Sequence, residues 1–323
     1  MRRPSVSVVI PVYDEEAVLP RLFERLYPAL DALGCPYEVV FVDDGSRDGS
    51  ADLLRAQYAR RRDVTRVALL GFNVGQHMAI LAGFAHARGA RIVTLDADLQ
   101  NPPEEIVRLL ETMDRGHDYV GGVRVDRHDS RWRTHASRAI NWLRARTTPI
   151  RLTDHGCMLR AYDRRIVDII LRSGEANIFI PALAYSYARK PVEIEVAHAE
   201  RAAGASKYSL LSLVQLNFDL MTGFSVAPLR IFSLFGMAVS VLSGVFVVYL
   251  FLRRLWIGPE AEGVFTLFAL LFLLMGIVLF AVGLLGEYVG RIYEQVRGRP
   301  RYQVHELLEA GSETAAQKVE ALR

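Results

Sequence analysis

With 323 residues, the chain has room for one α/β domain of about 200 residues plus an appendage. Charged residues at 23 % and hydrophobic residues at 51 % are ordinary for a globular protein, and a formal net charge of +3 is too small to argue for nucleic-acid binding. Two cysteines, Cys35 and Cys157, lack metal-ligand spacing; they exclude a disulfide framework and fit a reducing compartment.

The first apolar run, Val6–Val12, is too short for a signal peptide and reads as the first strand of a cytoplasmic domain. β-Branched runs recur at Tyr37–Val42, Thr65–Leu70, Arg91–Leu95 and Tyr119–Val123. Helix-length amphipathic segments, Ala17–Leu33, Ser50–Arg61 and Glu104–Gly116, separate several of them. This alternation predicts an α/β fold with a doubly wound, mainly parallel sheet, in which ligands bind beyond the carboxyl ends of the strands. Polar residues gather at those ends: Pro11-Val12-Tyr13-Asp14-Glu15, Asp43-Asp44-Gly45-Ser46, Asp96-Ala97-Asp98 and Gly121-Gly122-Val123-Arg124. Neither G-x-G-x-x-G nor G-x-x-x-x-G-K-[ST] occurs, which argues against a dinucleotide site and a P-loop.

Asp96 and Asp98 stand two apart, where an extended strand end puts both side chains on one side. Two hard carboxylates suit Mg²⁺ or Mn²⁺, with water and a substrate diphosphate completing the shell. A capped turn is the alternative, since Asn101-Pro102-Pro103-Glu104-Glu105 starts a helix with Asn101 as N-cap. The two readings are compatible.

Further on, the composition turns apolar. Phe232–Leu252 and Val264–Leu285 contain no charged residue, and at 1.5 Å per residue they span about 31 and 33 Å, enough for a bilayer core. Arg253 and Arg254 lie between them, against Arg230, Arg291, Arg297, Arg299 and Arg301 outside, so the basic count puts both termini in the cytoplasm. Gly236, Ser240 and Gly244, and likewise Gly286 and Gly290, recur every four residues, a spacing that serves helix pairing within a chain or between copies. Leu210, Leu213, Val214, Phe218, Met221 and Phe224 form a helical apolar stripe that reads as an interfacial helix or a packed surface helix. The expected organisation is a catalytic domain over 1–205, a juxtamembrane amphipathic helix over 206–230, a two-helix transmembrane hairpin over 231–290 and a cytoplasmic tail over 291–323.

The segments Val8-Val9-Ile10-Pro11-Val12-Tyr13-Asp14-Glu15, Val42-Asp43-Asp44-Gly45-Ser46 and Asp96-Ala97-Asp98-Leu99-Gln100 resemble the family 2 glycosyltransferases of GT-A fold. The two apolar spans, His198-Ala199-Glu200-Arg201 and Ser206-Lys207-Tyr208-Ser209 narrow the resemblance to polyprenyl-phosphate glycosyltransferases. Asn73-Val74-Gly75-Gln76-His77, the stretch Asp154–Tyr162 and the stretch Gly286–Tyr293 point to members that transfer 4-deoxy-4-formamido-L-arabinose in polymyxin resistance. The resemblance implies a UDP-sugar donor, undecaprenyl phosphate as acceptor at the inner membrane, inversion, and a role in lipid A modification. Relatives that transfer glucose or another hexose share most of these motifs.

Position by position, it implies that Pro11, Tyr13, Glu15 and Asp44 line the nucleotide site and that Asp43 reads uracil. Asp96 and Asp98 would hold the metal and diphosphate, with Gln100 close by. Arg124, Arg133, Ser137, Arg201 and Lys207 match phosphate-binding positions, and Asp154 matches an acidic position near the acceptor. Asp96, Asp98, Asp154 and Arg201 are thus the catalytic candidates, in a homo-oligomer on the lipid bilayer for which a tetramer is the form relatives suggest. Cys157 is expected to pack as a small hydrophobe.

Overall fold

The computed structural model describes residues 4–124, 152–154, 156–173, 179–198, 227–257, 264–297 and 301–310. Each β-branched run noted above becomes a strand: β1 (Val6–Val12), β2 (Tyr37–Asp43), β3 (Thr65–Leu70), β4 (Arg91–Thr94) and β5 (Tyr119–Arg124). Every residue of β2 and β3 is buried, the mark of strands covered on both faces. Three short strands join them: β6 (Arg160–Asp163), β7 (Pro191–Val196) and β8 (Val304–Leu308).

The sheet order is β7-β5-β6-β4-β1-β2-β3-β8. Strands β4, β1, β2 and β3 run parallel, and β5 pairs in parallel with β7. Strand β6 is antiparallel to both β4 and β5, and β8 is antiparallel to β3. The doubly wound, mainly parallel sheet is therefore present, with β6 and β8 reversed.

Helix α1 (Leu19–Asp31) buries Leu19, Leu22, Leu26 and Leu30 at helical spacing beneath Val6, Val8, Ile10 and Val12. Helix α2 (Ser50–Arg60) follows β2, and α3 (Gln76–His86) packs on the opposite face of β1 and β2. Gly83 permits this, since a Cβ there would lie 2.3 Å from Val9 Cγ1. Helix α4 (Ile106–Asp114) is preceded by a 3-10 turn at Pro103–Glu105. Asn101 does not cap it: that residue is buried, and its Oδ1 faces the Cys157 thiol at 3.7 Å. Helices α5 (Arg164–Arg172) and α6 (Ile180–Tyr187) pack together.

The chain divides into two compact units, one of 1–134, 150–207 and 299–323, the other of 135–149 and 208–298. Within the second, α7 (Ala227–Ile257) and α8 (Val264–Val296) meet at Phe232 and Phe280, whose ring centroids are 5.1 Å apart. In α8, Leu270–Gly290 is long and apolar enough to cross a membrane and is almost wholly exposed. The expected span Phe232–Leu252 lies inside α7, whose apolar stretch among the described residues is shorter, Ile231–Phe246. Two boundaries differ from expectation: α8 runs on to Val296, and the expected tail contributes β8 to the first unit's sheet. The juxtamembrane segment over 206–226 lies outside the described residues.

Candidate active site

The chain runs outward through β1, β2 and β3, then returns to place β4 on the other side of β1. That reversal makes the carboxyl ends of β1 and β4 the topological switch point, the usual ligand position in such sheets.

On the β2 side, the loops after β1 and β2 are clasped together. Asp14 donates its N–H to Ser46 Oγ (3.0 Å) and accepts the Arg47 N–H on Oδ1 (2.8 Å). Glu15 donates its N–H to Ser50 Oγ (2.9 Å), and Glu16 donates its own to Asp48 Oδ2 (3.0 Å). Asp14 takes φ +54°, a left-handed conformation that aspartate tolerates better than most residues. Half-buried Pro11 and exposed Tyr13 lead into this clasp.

Asp43, opposite Val12 in the ladder, is 3 % exposed. Its Oδ2 accepts the Ser46 N–H at 3.2 Å, while buried Oδ1 has no partner among the described residues. Burial pushes its pKa up, against the hydrogen bonds from Ser46. Asp44 is used differently: Oδ1 accepts the Val74 N–H (2.8 Å) and Oδ2 the Gly75 N–H (2.9 Å), so it shapes the loop that opens α3. Gly45 is dictated by the same closeness; at φ +69°, a Cβ there would sit 2.7 Å from the Phe72 carbonyl carbon.

On the β4 side, the strand ends at Thr94 and the chain turns at Ala97 and Asp98. The extended geometry expected for Asp96 and Asp98 is thus replaced by a turn, in which Leu99 takes φ +61° and Asp98 Oδ1 accepts the Gln100 N–H at 3.1 Å. Asp96 Oδ1 accepts from Gln76 Nε2 at 2.6 Å, a contact from the first residue of α3. No group of three His, Cys, Asp or Glu side chains suited to a metal occurs among the described residues. Two carboxylates fit a hard divalent ion only if substrate oxygens and water complete its shell.

His198, two residues beyond β7, has a buried Nδ1 with no partner among the described residues. Burial lowers its pKa, as does Arg124, while Asp98 and Asp154 oppose the shift. It thus shares an electrostatic neighbourhood with three of the expected site residues. The residue stands in a motif quoted above, but no strand was expected before it, so its place at a strand end stayed hidden.

At the end of β5, Arg124 faces Asp154 as a fork: Nε to Oδ2 at 2.6 Å and Nη2 to Oδ1 at 2.8 Å. The Gly156 N–H adds a bond to Oδ1 at 3.0 Å. Burial alone would raise the Asp154 pKa, yet these bonds and the Arg124 charge hold it at about 2. Asp154 is therefore an ionised anchor for Arg124 and a poor general base at neutral pH. Cys157 packs as expected; it is buried, and burial pushes its thiol up to about 11. Arg133, Ser137, Arg201 and Lys207 lie outside the described residues.

The model for "Glycosyl transferase family 2" matches residues 7–170, and that for "GtrB C-terminal hairpin" matches residues 227–292. The chain is 52 % identical over 307 residues to the undecaprenyl-phosphate 4-deoxy-4-formamido-L-arabinose transferase of Edwardsiella ictaluri, covering 94 % of each. To the same-named transferase of Pseudomonas aeruginosa it is 50 % identical over 307 residues, covering 94 % of this chain and 91 % of that one. Among solved structures, glucosyl-3-phosphoglycerate synthase from Mycobacterium tuberculosis aligns with a TM-score of 0.46 at 19 % identity, over 68 % of this chain and 78 % of that one. The chain thus belongs to glycosyl transferase family 2 and is a glycosyltransferase of GT-A fold, related along most of its length to the undecaprenyl-phosphate 4-deoxy-4-formamido-L-arabinose transferases.

Proposed function

We propose that this glycosyltransferase moves a single 4-deoxy-4-formamido-L-arabinose from a UDP-sugar to undecaprenyl phosphate at the cytoplasmic face of the inner membrane, as a step in lipid A modification. The sugar and acceptor rest on the identity of about half the residues with transferases bearing that name. The observation that carries the donor site is Asp43, whose buried Oδ1 lacks a partner among the described residues at the carboxyl end of β2. A carboxylate oxygen so placed suits the imide N–H of a uracil, with Pro11, Tyr13 and Glu15 around it. Asp44 supports this pocket through the Val74 and Gly75 amides.

In the reaction, a phosphate oxygen of the lipid forms a bond to the anomeric carbon as the bond from that carbon to the UDP oxygen breaks, with inversion. The acceptor oxygen is already anionic at neutral pH, so no strong base is required, which accords with Asp154 remaining ionised in its pair with Arg124. Positioning and electrostatic stabilisation carry the catalysis. Arg124, Arg133, Ser137, Arg201 and Lys207 would hold phosphate groups. Asp96 and Asp98, with Gln100 beside them, would hold Mg²⁺ or Mn²⁺, which when bound supplies positive charge to the departing diphosphate.

The helices α7 and α8 are proposed to cross the bilayer as a hairpin. In sequence they lie between β7 and β8, two strands of one sheet, so the chain must return to the side it left. The arginine count supports a cytoplasmic position for that side. A lipid-transfer assay tests the site: Asp98→Ala should abolish transfer with folding retained, and added chelator should do the same to the unaltered protein. Undiminished transfer by Asp98→Ala would refute the metal role.

A further inference from the structure

One buried cation has no part in the mechanism above. Arg160 in β6 is 0 % exposed, and among the described residues no carboxylate pairs with it. Its Nε donates to the Cys157 carbonyl at 2.8 Å, Nη1 donates to the Tyr119 hydroxyl, and Nη2 donates to the Asp154 carbonyl. The Tyr119 ring centroid lies 5.9 Å from the guanidinium carbon. Burying a guanidinium without a counter-charge is costly, and an apolar side chain of similar length would fill the space without that cost.

What the guanidinium holds is the backbone at Asp154 and Cys157. Two of its three acceptors are the carbonyls of Asp154 and Cys157. The Asp154 carboxylate in turn grips the Arg124 fork at 2.6 and 2.8 Å, and the Gly156 N–H donates to its Oδ1. Strand β5 makes room with consecutive glycines: a Cβ at Gly121 would lie 3.0 Å from Arg160 Nη1, and one at Gly122 would lie 2.9 Å from the Leu159 carbonyl oxygen. Lysine does not substitute, because a compact ammonium cannot present fork donors to three fixed acceptors.

We propose that Arg160 is a positioning residue for acceptor binding, which clamps the backbone carbonyls of Asp154 and Cys157 from inside the fold and through Asp154 fixes the orientation of Arg124. The inference rests on the reading of Arg124 as a phosphate ligand. Each link is a contact within one unit of the chain, and the side chain itself is too deep to touch substrate.

A double-mutant cycle on the full-length, lipid-reconstituted protein tests it, with undecaprenyl phosphate varied at saturating donor and the donor KM measured separately. Arg124→Met should raise the acceptor KM about tenfold, and Arg160→Met should give a similar rise with the donor KM changed by less than about twofold. The double variant should be no worse than Arg124→Met alone, because residues acting through one contact are not additive. Multiplied effects in the double variant would overturn the proposal, as would equal rises in donor and acceptor KM. If Arg124→Met alone leaves the acceptor KM unchanged, the reading of Arg124 fails first and the proposal with it. Should Arg160→Met fail to fold, Gly121→Ala crowds Nη1 more gently. It should raise the acceptor KM about threefold in the unaltered background and not at all beside Arg124→Met; an equal rise in both backgrounds would contradict the proposal.

Discussion

Asp43 sits in the fold at a cost to stability, since its carboxylate is buried and one oxygen lacks a partner among the described residues. Asp43→Asn should therefore leave the melting temperature unchanged or raise it by about 2 °C, while weakening UDP binding about tenfold. Calorimetry of both quantities checks this, and a lowered melting temperature with intact UDP binding would contradict it. Asp154 behaves in the opposite sense. Its folded pKa of about 2 lies below its ordinary value of 3.8, so the pair with Arg124 stabilises the fold fully above that ordinary value. The contribution, on the order of 2 kcal/mol, disappears as pH falls through the folded pKa. The melting-temperature gap between the unaltered protein and Asp154→Asn should accordingly be full at neutral pH and close between about pH 4 and pH 2. Asp43 and Asp44 are adjacent and chemically identical in the sequence. They differ in space because the amides of Val74 and Gly75, thirty residues away, take both oxygens of one and neither of the other. Arg160 was equally hidden, since its burial depends on the antiparallel pairing of β5 with β6.

At the scale of elements, β1 to β5 were legible because buried parallel strands are continuous β-branched runs. The three missed strands carry no such signal: β6 is Arg-Ala-Tyr-Asp, β7 has partly exposed residues at one sheet edge, and β8 is Val-His-Glu-Leu-Leu. They exist because partner strands accept them. Strand β8 covers the edge of β3, and its neighbourhood is tied by Glu306 to Arg55 (2.8 Å) and by Glu309 to Arg88 (2.7 Å) and Arg66. Ending the chain after Val296 should lower the melting temperature and promote aggregation through the uncovered β3 edge, measurable by light scattering. A truncated protein as stable and monodisperse as the whole would contradict that role. Gly45→Ala should be strongly destabilising, by more than about 1 kcal/mol, because it combines positive φ with a backbone clash; denaturant titration reads this directly.

For the whole molecule, the exposed apolar surface of α7 and α8 sets the behaviour. Leu234, Leu242, Phe272, Leu279 and Trp256 are all largely exposed, an arrangement suited to lipid. The protein should stay in the membrane fraction through high salt and carbonate washes and leave it only with detergent. A Cβ added at Gly236, Gly244, Gly286 or Gly290 would meet nothing within 4 Å. The close helix approach that small residues permit is thus not used at these positions among the described residues, and a homo-oligomer would use it. Native mass spectrometry in detergent should show more than one copy.

The passage of a sugar from UDP to a polyprenyl phosphate is read by incubating purified protein with undecaprenyl phosphate and a panel of UDP-sugars, followed by mass spectrometry of the lipid. The expected product is undecaprenyl phosphate bearing one 4-deoxy-4-formamido-L-arabinose, formed from that donor in preference to UDP-glucose. Preferential transfer of glucose would contradict the choice of sugar, and the absence of any glycosylated lipid across the panel would contradict the claim itself.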